Sequence, residues 1–290
     1  MDGIIIINKP IGFTSQDVVS KVKKILNIKK AGHAGTLDPL ATGVLPVLLG
    51  NATRVSKYLI EHDKKYIATI KLGEKRNTGD LEGDVIEKSD IKISDEKFIK
   101  NVIESFIGKS TQIPPIYSAI KINGKKLYEY AREGKEVEIP SREIEIYEIE
   151  LIDFNIEKQE IKFSTKCSKG TYIRTLCEDI AKKLDTVGYM SSLERVQVDK
   201  FYIENAIDFE TLELNKNSAE FLDENIISIE KLFEDLLKIR LNKRKEELFL
   251  NGVMLTFELE DGLYNIYTQE NKYLGLGIVK NQLLKRDVIV

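Results

Sequence analysis

Residues 142–154, REIEIYEIELIDF, and 160–166, EIKFSTK, set apolar and polar side chains in rough alternation, the period of a strand with one wet face. KYIATIKL, 65–72, does the same, and GIIIIN, 3–8, reads as a short buried strand closed by Lys9-Pro10 and Gly12. Helical periods are scattered among these runs. Val18, Val22, Ile25 and Leu26 share one face of a helix over 14–27, with Lys21, Lys23 and Lys24 mainly off that stripe. Further helices are expected at 94–106, 125–133 and 171–184. Hairpin-like strand pairs without the regular strand-helix-strand alternation of a parallel sheet point away from a doubly wound fold. The expected class is α+β, a mostly antiparallel mixed sheet with flanking helices.

An acidic helical stretch from about 219 to 247 precedes a tail of different texture. LFLNGVMLTF, GLYNIYT and KYLGLGIVKN are short strand-like runs separated by turn residues. The reading is a main domain over 1–237 and a small β-rich domain over 238–290.

A chain of 290 residues, 42% apolar, is long enough to bury a substantial core. No run approaches the eighteen or so apolar residues of a membrane span, and MDGIIIINKP has an acid and a proline where a secretory signal would be basic. The expectation is a cytoplasmic protein with no membrane partner. Cys167 and Cys177 lie without a second pair or a neighbouring histidine, so they are expected as buried thiols, not as a zinc or disulfide set.

The net charge of −3 conceals a segregation of signs. From Val18 to Ile60 the only acid is Asp38, against seven lysines and arginines; Ser105–Tyr128 has four lysines and no acid. Lys162, Lys166, Lys169 and Arg174 repeat the pattern, while acids gather in 129–160 and 204–236. One positive face on an acidic protein suits a nucleic acid. Solvated helix faces are the alternative for any single lysine.

AGHAGTLDPLATGVLP, 31–46, holds His33 and that lone acid in a loop of small and apolar residues. Asp38-Pro39 has the form of an N-cap and first helical residue, for a short helix at 39–43. Against this stand glycines at 32, 35 and 43 and the absence of another carboxylate within twenty residues. The segment lacks the second acid of a glycosidase and the phosphate-binding spacing of a P-loop. Among basic neighbours the carboxylate is expected to stay ionised and to serve as nucleophile or base without a metal. In GTYIRTLCEDIAKKL, 170–184, Tyr172 and Arg174 either cap a helix or hold a planar ligand and a carboxylate. Tyr66 is either core or a stacking platform.

INKPIGFTS (7–15), AGHAGTLDPLATGVLPVLLGNATR (31–54), KKYIATIKLG (64–73), IPPIYSAIKINGKKLYEYAREG (113–134) and CSKGTYIRTLCEDI (167–180) together resemble the TruB-type tRNA pseudouridine synthases. The motifs run in the family's order across roughly the first 200 residues. The resemblance implies a pseudouridine-synthase fold that isomerises uridine 55 in the TΨC loop of tRNA without metal or organic cofactor. It implies Asp38 as the catalytic residue and His33 as the group that helps displace the target base. Tyr66 then stacks on the flipped uracil, Tyr172 and Leu193 wall the pocket, and Arg174 pairs with Asp38. The partner is the tRNA T arm and loop, with no obligatory protein partner and a monomeric state expected. LERVQVDKF, 193–201, departs from the family: Glu194 replaces the first arginine of a pair, and Asp199-Lys200 a glycine step. The tail resembles a PUA-type RNA-binding domain. Rival readings are an RNA-binding protein without catalysis, the same chemistry inside a guide-RNA particle, and a glycoside hydrolase.

Overall fold

A computed structural model describes residues 1–290. Its main sheet contains strands β1 (Gly3–Lys9), β2 (Ala31–His33), β3 (Thr42–Leu49), β4 (Lys64–Leu72), β5 (Gly108–Gln112), β6 (Arg142–Asn155), β7 (Glu160–Cys167), β8 (Gly188–Val198), β9 (Phe201–Tyr202) and β10 (Ile226–Ile227). The strand order is β10-β1-β3-β8-β4-β7-β6-β5, with β2 also on β3 and β9 on β8. Every neighbouring pair is antiparallel except β3–β8, a parallel contact of two residues, Thr42 with Glu194 and Gly43 with Arg195. This short junction joins the two halves of the sheet. The α+β class with a mostly antiparallel sheet is as expected.

The two kinds of strand in the sequence have different surroundings. In β4, Tyr66, Ala68, Ile70 and Leu72 are buried while Lys65, Ile67, Thr69 and Lys71 are half-exposed, so alternation marks a sheet covered on one side. The covering helices are α2 (Glu96–Glu104) and α4 (Ile173–Lys183), whose Ile99, Val102, Ile103, Leu176 and Ile180 share that core, with the short α3 (Leu127–Arg132) between them in the chain. Ile4–Ile7 of β1 do not alternate because both faces are covered. Ile4 and Ile6 pack in one cluster with Val44 and Leu48, and Ile5 and Ile7 pack in another against helix α1 (Ser15–Ile25). Helix α1 starts at a reciprocal cap: Thr14 Oγ1 accepts from the Asp17 N–H, and Asp17 accepts from the Thr14 N–H.

The helix expected over 219–247 is broken. It resolves into Ala219–Asn225, Ile229–Leu232, a strand at Lys238–Leu241 and Lys243–Leu250. Ser228 and Asn242 each cap a new helix, accepting from the N–H of Lys231 and Lys245, and Ile226–Ile227 leave the helix to pair with Ile5 and Ile4. Acidic composition carried the helical expectation; these caps and the open sheet edge overrode it.

The tail forms a five-stranded sheet from β11 (Lys238–Leu241), β12 (Leu255–Thr256), β13 (Gly262–Thr268), β14 (Tyr273–Lys280) and β15 (Leu283–Ile289), ordered β11-β13-β14-β15-β12. Leu276 and Val288 turn away from its own core and join Ile4, Leu48 and Leu59 of the main body. At the same contact Asp287 accepts from the Tyr58 hydroxyl at 2.6 Å and pairs with Lys57 at 2.5 Å.

Candidate active site

The loop between β2 and β3 carries Asp38, and its backbone is fastened from the N-terminal motif. Ser15 Oγ accepts from the Leu37 N–H at 2.9 Å, and the Gly12 N–H reaches Pro39 O at 2.9 Å. The fully buried Lys9 ammonium donates to Pro39 O at 3.2 Å and also to Phe13 O and Pro10 O. Burial pushes this amine down to about 8. The expected helix at 39–43 is absent: the segment makes a single turn, Ala41 N–H to Asp38 O at 3.0 Å, and then enters β3. The Asp38 carboxylate pairs with Arg174 instead of capping a helix.

Arg174 stands in the first turn of α4 and is 6% exposed. Its Nε lies 3.1 Å from Asp38 Oδ2, Nη1 donates to Thr78 O at 3.0 Å, and Nη2 donates to Tyr117 O at 2.8 Å. One guanidinium therefore fixes the Asp38 loop, the turn around Thr78 and the segment around Tyr117 relative to one another. Nη1 also lies 3.6 Å from Asp80 Oδ2. Asp80, buried in the turn of the hairpin Glu74–Arg76/Val85–Lys88, accepts from the Thr78 hydroxyl at 2.6 Å and the Glu82 N–H at 3.1 Å. Asp38 is thus isolated from other acids only along the chain. Its electrostatics also differ from the sequence expectation: burial raises its pKa, Arg174 and Lys9 oppose the rise, Asp80 adds to it, and the net direction is upward.

Facing this pair is a cavity of about 880 Å³ whose walls include Asp38, Tyr66, Tyr172, Arg174 and Leu193. The Asp38 side chain keeps 38% of its surface exposed, so a ligand in the cavity can reach it. Tyr66 and Leu193 come from adjacent strands, where Arg195 is registered with Tyr66 and Leu193 with Ala68. Burial drives the Tyr66 hydroxyl upward, keeping it protonated. Tyr172 precedes α4, and Gln112 of β5 grips its backbone twice, accepting from its N–H at 2.8 Å and donating to its carbonyl at 3.0 Å. The Arg142 guanidinium sits 5.7 Å from the Tyr172 ring centre.

His33 is not brought to the cavity wall. It lies on β2 opposite Val47, and its Nδ1 is buried without a hydrogen-bond partner. Burial, reinforced by Arg195, lowers its pKa, so the ring is neutral near pH 7. Sequence reading missed Asp80, Lys64 and Arg195, of which Lys64 and Arg195 line the cavity. Lys64 donates to Ile60 O and His62 O and is pushed down by burial to about 8. None of the three has a local signature: an acid in a glycine-rich turn and basic residues in strands are common surface patterns. Cys167 and Cys177 are buried free thiols, burial pushing Cys167 up to about 12. No group of three or more His, Cys, Asp or Glu side chains converges in the protein, and no helix is long and apolar enough to cross a membrane.

The family description "TruB family pseudouridylate synthase (N terminal domain)" matches residues 23–173, and "tRNA pseudouridylate synthase B C-terminal domain" matches 174–234. The chain belongs to the TruB family. It is therefore a pseudouridine synthase, an isomerase. Relatives named tRNA pseudouridine synthase B are 46% identical in Clostridium novyi, over 98% of both chains, and 43% identical in Francisella philomiragia, over 100% of this chain and 97% of the other. Among solved structures, an H/ACA RNP bound to a substrate RNA containing 2'-deoxyuridine matches with a TM-score of 0.71 and 26% identity, covering 99% of this chain and 85% of that one. A Cbf5-Nop10-Gar1 complex matches at 0.69 and 27%, covering 99% and 83%.

Proposed function

We propose that the protein converts uridine 55 in the TΨC loop of tRNA to pseudouridine, with Asp38 as the catalytic residue. The observation that carries this reading is the Asp38–Arg174 pair at 3.1 Å in the wall of a cavity shared with Tyr66, Tyr172 and Leu193. Isomerisation breaks the bond from C1′ to N1, turns the base and rejoins it through C5. The detached base therefore has to be kept. An aromatic and aliphatic wall of Tyr66, Tyr172 and Leu193 retains and orients a flat uracil, and Asp38 faces the sugar.

Two routes are compatible with a carboxylate in this place: attack of Asp38 on C1′, or removal of the C2′ proton. Extruding the target uridine from a structured loop costs about a few kcal/mol. His33, neutral and outside the cavity wall, suits the gap the base leaves better than the pocket the base enters. Basic residues at Lys21, Lys23, Lys24, Lys109 and Lys121 are then available to RNA phosphates. Within this reading residues 1–237 are the catalytic domain, and 238–290 a PUA-like module extending the RNA surface. The protein acts as a cytoplasmic monomer on bare tRNA, without accessory proteins or cofactor.

The test is to incubate purified protein with unmodified tRNA transcript and map pseudouridine by carbodiimide and primer extension. A single T-loop stop is expected, lost in Asp38→Asn while tRNA affinity stays within about tenfold, since the charge on the RNA-facing surface is kept. Equal loss of binding and turnover would refute the assigned role. Activity appearing only with added protein or guide RNA favours the particle reading, and released free uracil the hydrolase.

A further inference from the structure

Arg195 is the largest fully buried side chain in the protein, 1% exposed, and no acidic side chain comes within salt-bridge distance of it. Buried guanidinium groups ordinarily carry a carboxylate partner, because an unpaired charge is expensive to hold away from water. Here the partners are backbone carbonyls: Nε donates to Val44 O at 2.8 Å and Nη2 to Gly35 O at 3.1 Å, while Nη1 reaches Thr36 O only at 3.5 Å. Arg174, by contrast, is matched by two carboxylates, Asp38 and Asp80. Of the cations lining the cavity, which also include Arg142 and the carbonyl-bound Lys64, Arg174 is neutralised beside Asp38, whereas the buried Arg195, in register with Tyr66, has no carboxylate partner.

Resting on the functional reading above, we propose that Arg195 is a positioning residue for glycosidic bond cleavage. Its charge, beside Tyr66 on the neighbouring strand and without a carboxylate partner, stabilises the negative charge of the departing uracil. When C1′–N1 breaks, its electron pair stays on N1 and the base becomes a uracil monoanion. C1′ is completed either by an oxygen of Asp38 or by the electron pair freed when Asp38 takes the C2′ proton. On reattachment a pair from the anion forms the C1′–C5 bond. Asp38 then leaves as carboxylate or returns the C2′ proton, C5 loses its proton and N1 gains one. Charge on the base exists only between these events, so a fixed cation in the cavity wall acts on the transition state and hardly on bound substrate. Arg195 has a second task in the same place, since its carbonyl partners belong to the loop and strand flanking Asp38.

Charge and bracing are separated by two variants and two leaving groups. Arg195→Lys keeps the charge with three of the five N–H donors; Arg195→Gln removes the charge and keeps two, so the comparison of leaving groups is what separates charge from bracing. Single-turnover loss of the N1-linked target nucleoside is measured on tRNA carrying uridine or 5-fluorouridine, because fluorine withdraws electron density and makes the base a better leaving anion; with no proton on its C5, the fluorinated base is followed by this cleavage and not by pseudouridine formed. Arg195→Gln is expected to slow uridine conversion about 100-fold or more, in the range for losing one preorganised electrostatic group. Its penalty on 5-fluorouridine should be at least about tenfold smaller, and Arg195→Lys should stay within about tenfold of wild type on uridine. Equal penalties on both bases, or a lysine variant as slow as a folded glutamine variant, would overturn the proposal. If Arg195→Gln does not fold, the lysine variant decides: retention of rate and of the wild-type base ratio supports the proposal. A folded but hundredfold slower lysine variant, or an unfolded one, assigns Arg195 to structure alone. Wild-type protein inert toward uridine refutes the functional reading itself.

Discussion

Replacing Gly43 by alanine tests whether the two-residue parallel junction holds the site together. Gly43 has φ +101°, and a Cβ there would lie 2.3 Å from Arg195 O and 2.9 Å from Arg195 N, both backbone atoms. Neither contact can be relieved by a rotamer change; β3 and β8 have to part by about 1 Å, a strain of about 1–3 kcal/mol. The left-handed backbone adds about 1–2 kcal/mol, for a total of about 2–5 kcal/mol. At about 2–4 °C per kcal/mol, melting should fall by about 4–20 °C. The same displacement shifts Arg195 against Val44 O and moves the Asp38 loop, and a misplacement of about 1 Å costs roughly a hundredfold in rate. The assay is a thermal melt paired with single-turnover pseudouridine formation. Gly134→Ala is the control: its φ is +64°, but nothing lies within 4 Å of the added carbon. It should lose only the conformational penalty and keep its rate. A Gly43→Ala protein that melts within about 2 °C of wild type and turns over within threefold would refute the argument.

Two further perturbations follow from the charges. Asp80→Asn should slow turnover about 10- to 100-fold with little change in tRNA affinity, because Arg174 loses a second anchor. Since Asp80 raises the Asp38 pKa, its removal should also move the acidic limb of the pH–rate profile to lower pH, and an unmoved limb would contradict that coupling. Lys64→Met addresses the buried lysine of the cavity. The folded pKa of Lys64, about 8, lies below its ordinary 10.5, so its buried charge destabilises the fold fully below pH 8 and progressively less up to 10.5. The stability of Lys64→Met relative to wild type should therefore be most favourable near pH 7 and decline toward pH 10. A difference flat with pH would show that Lys64 is not desolvated.

Legibility followed the range of the forces involved. Alternation in β4, β6 and β7 and the apolar stripe of α1 are local, and the sequence shows them directly. Asp38 was visible through its isolation among basic residues and through long motifs. Its partner on the other side, Asp80, was not, because only the fold carries the Glu74–Lys88 hairpin over α4. The helix at 39–43 failed for the same reason: a cap is a local preference of about 1 kcal/mol, and a nearly buried arginine at 3.1 Å outweighs it. Arg195 reads in sequence as one basic residue in a polar strand, and its burial comes from a strand about 150 residues earlier.

The junction between β3 and β8 also dictates an order of events during synthesis. Asp38 and Tyr66 are translated early, yet their halves of the sheet meet only through residues 188–198, so no partial chain shorter than about two hundred residues can contain a finished pocket. At about 5–20 residues per second, the ribosome spends on the order of ten seconds or more with the basic N-terminal third exposed and incapable of catalysis. RNA that meets the nascent chain in that interval is met by charge alone, and chemistry begins only once β8 is inserted.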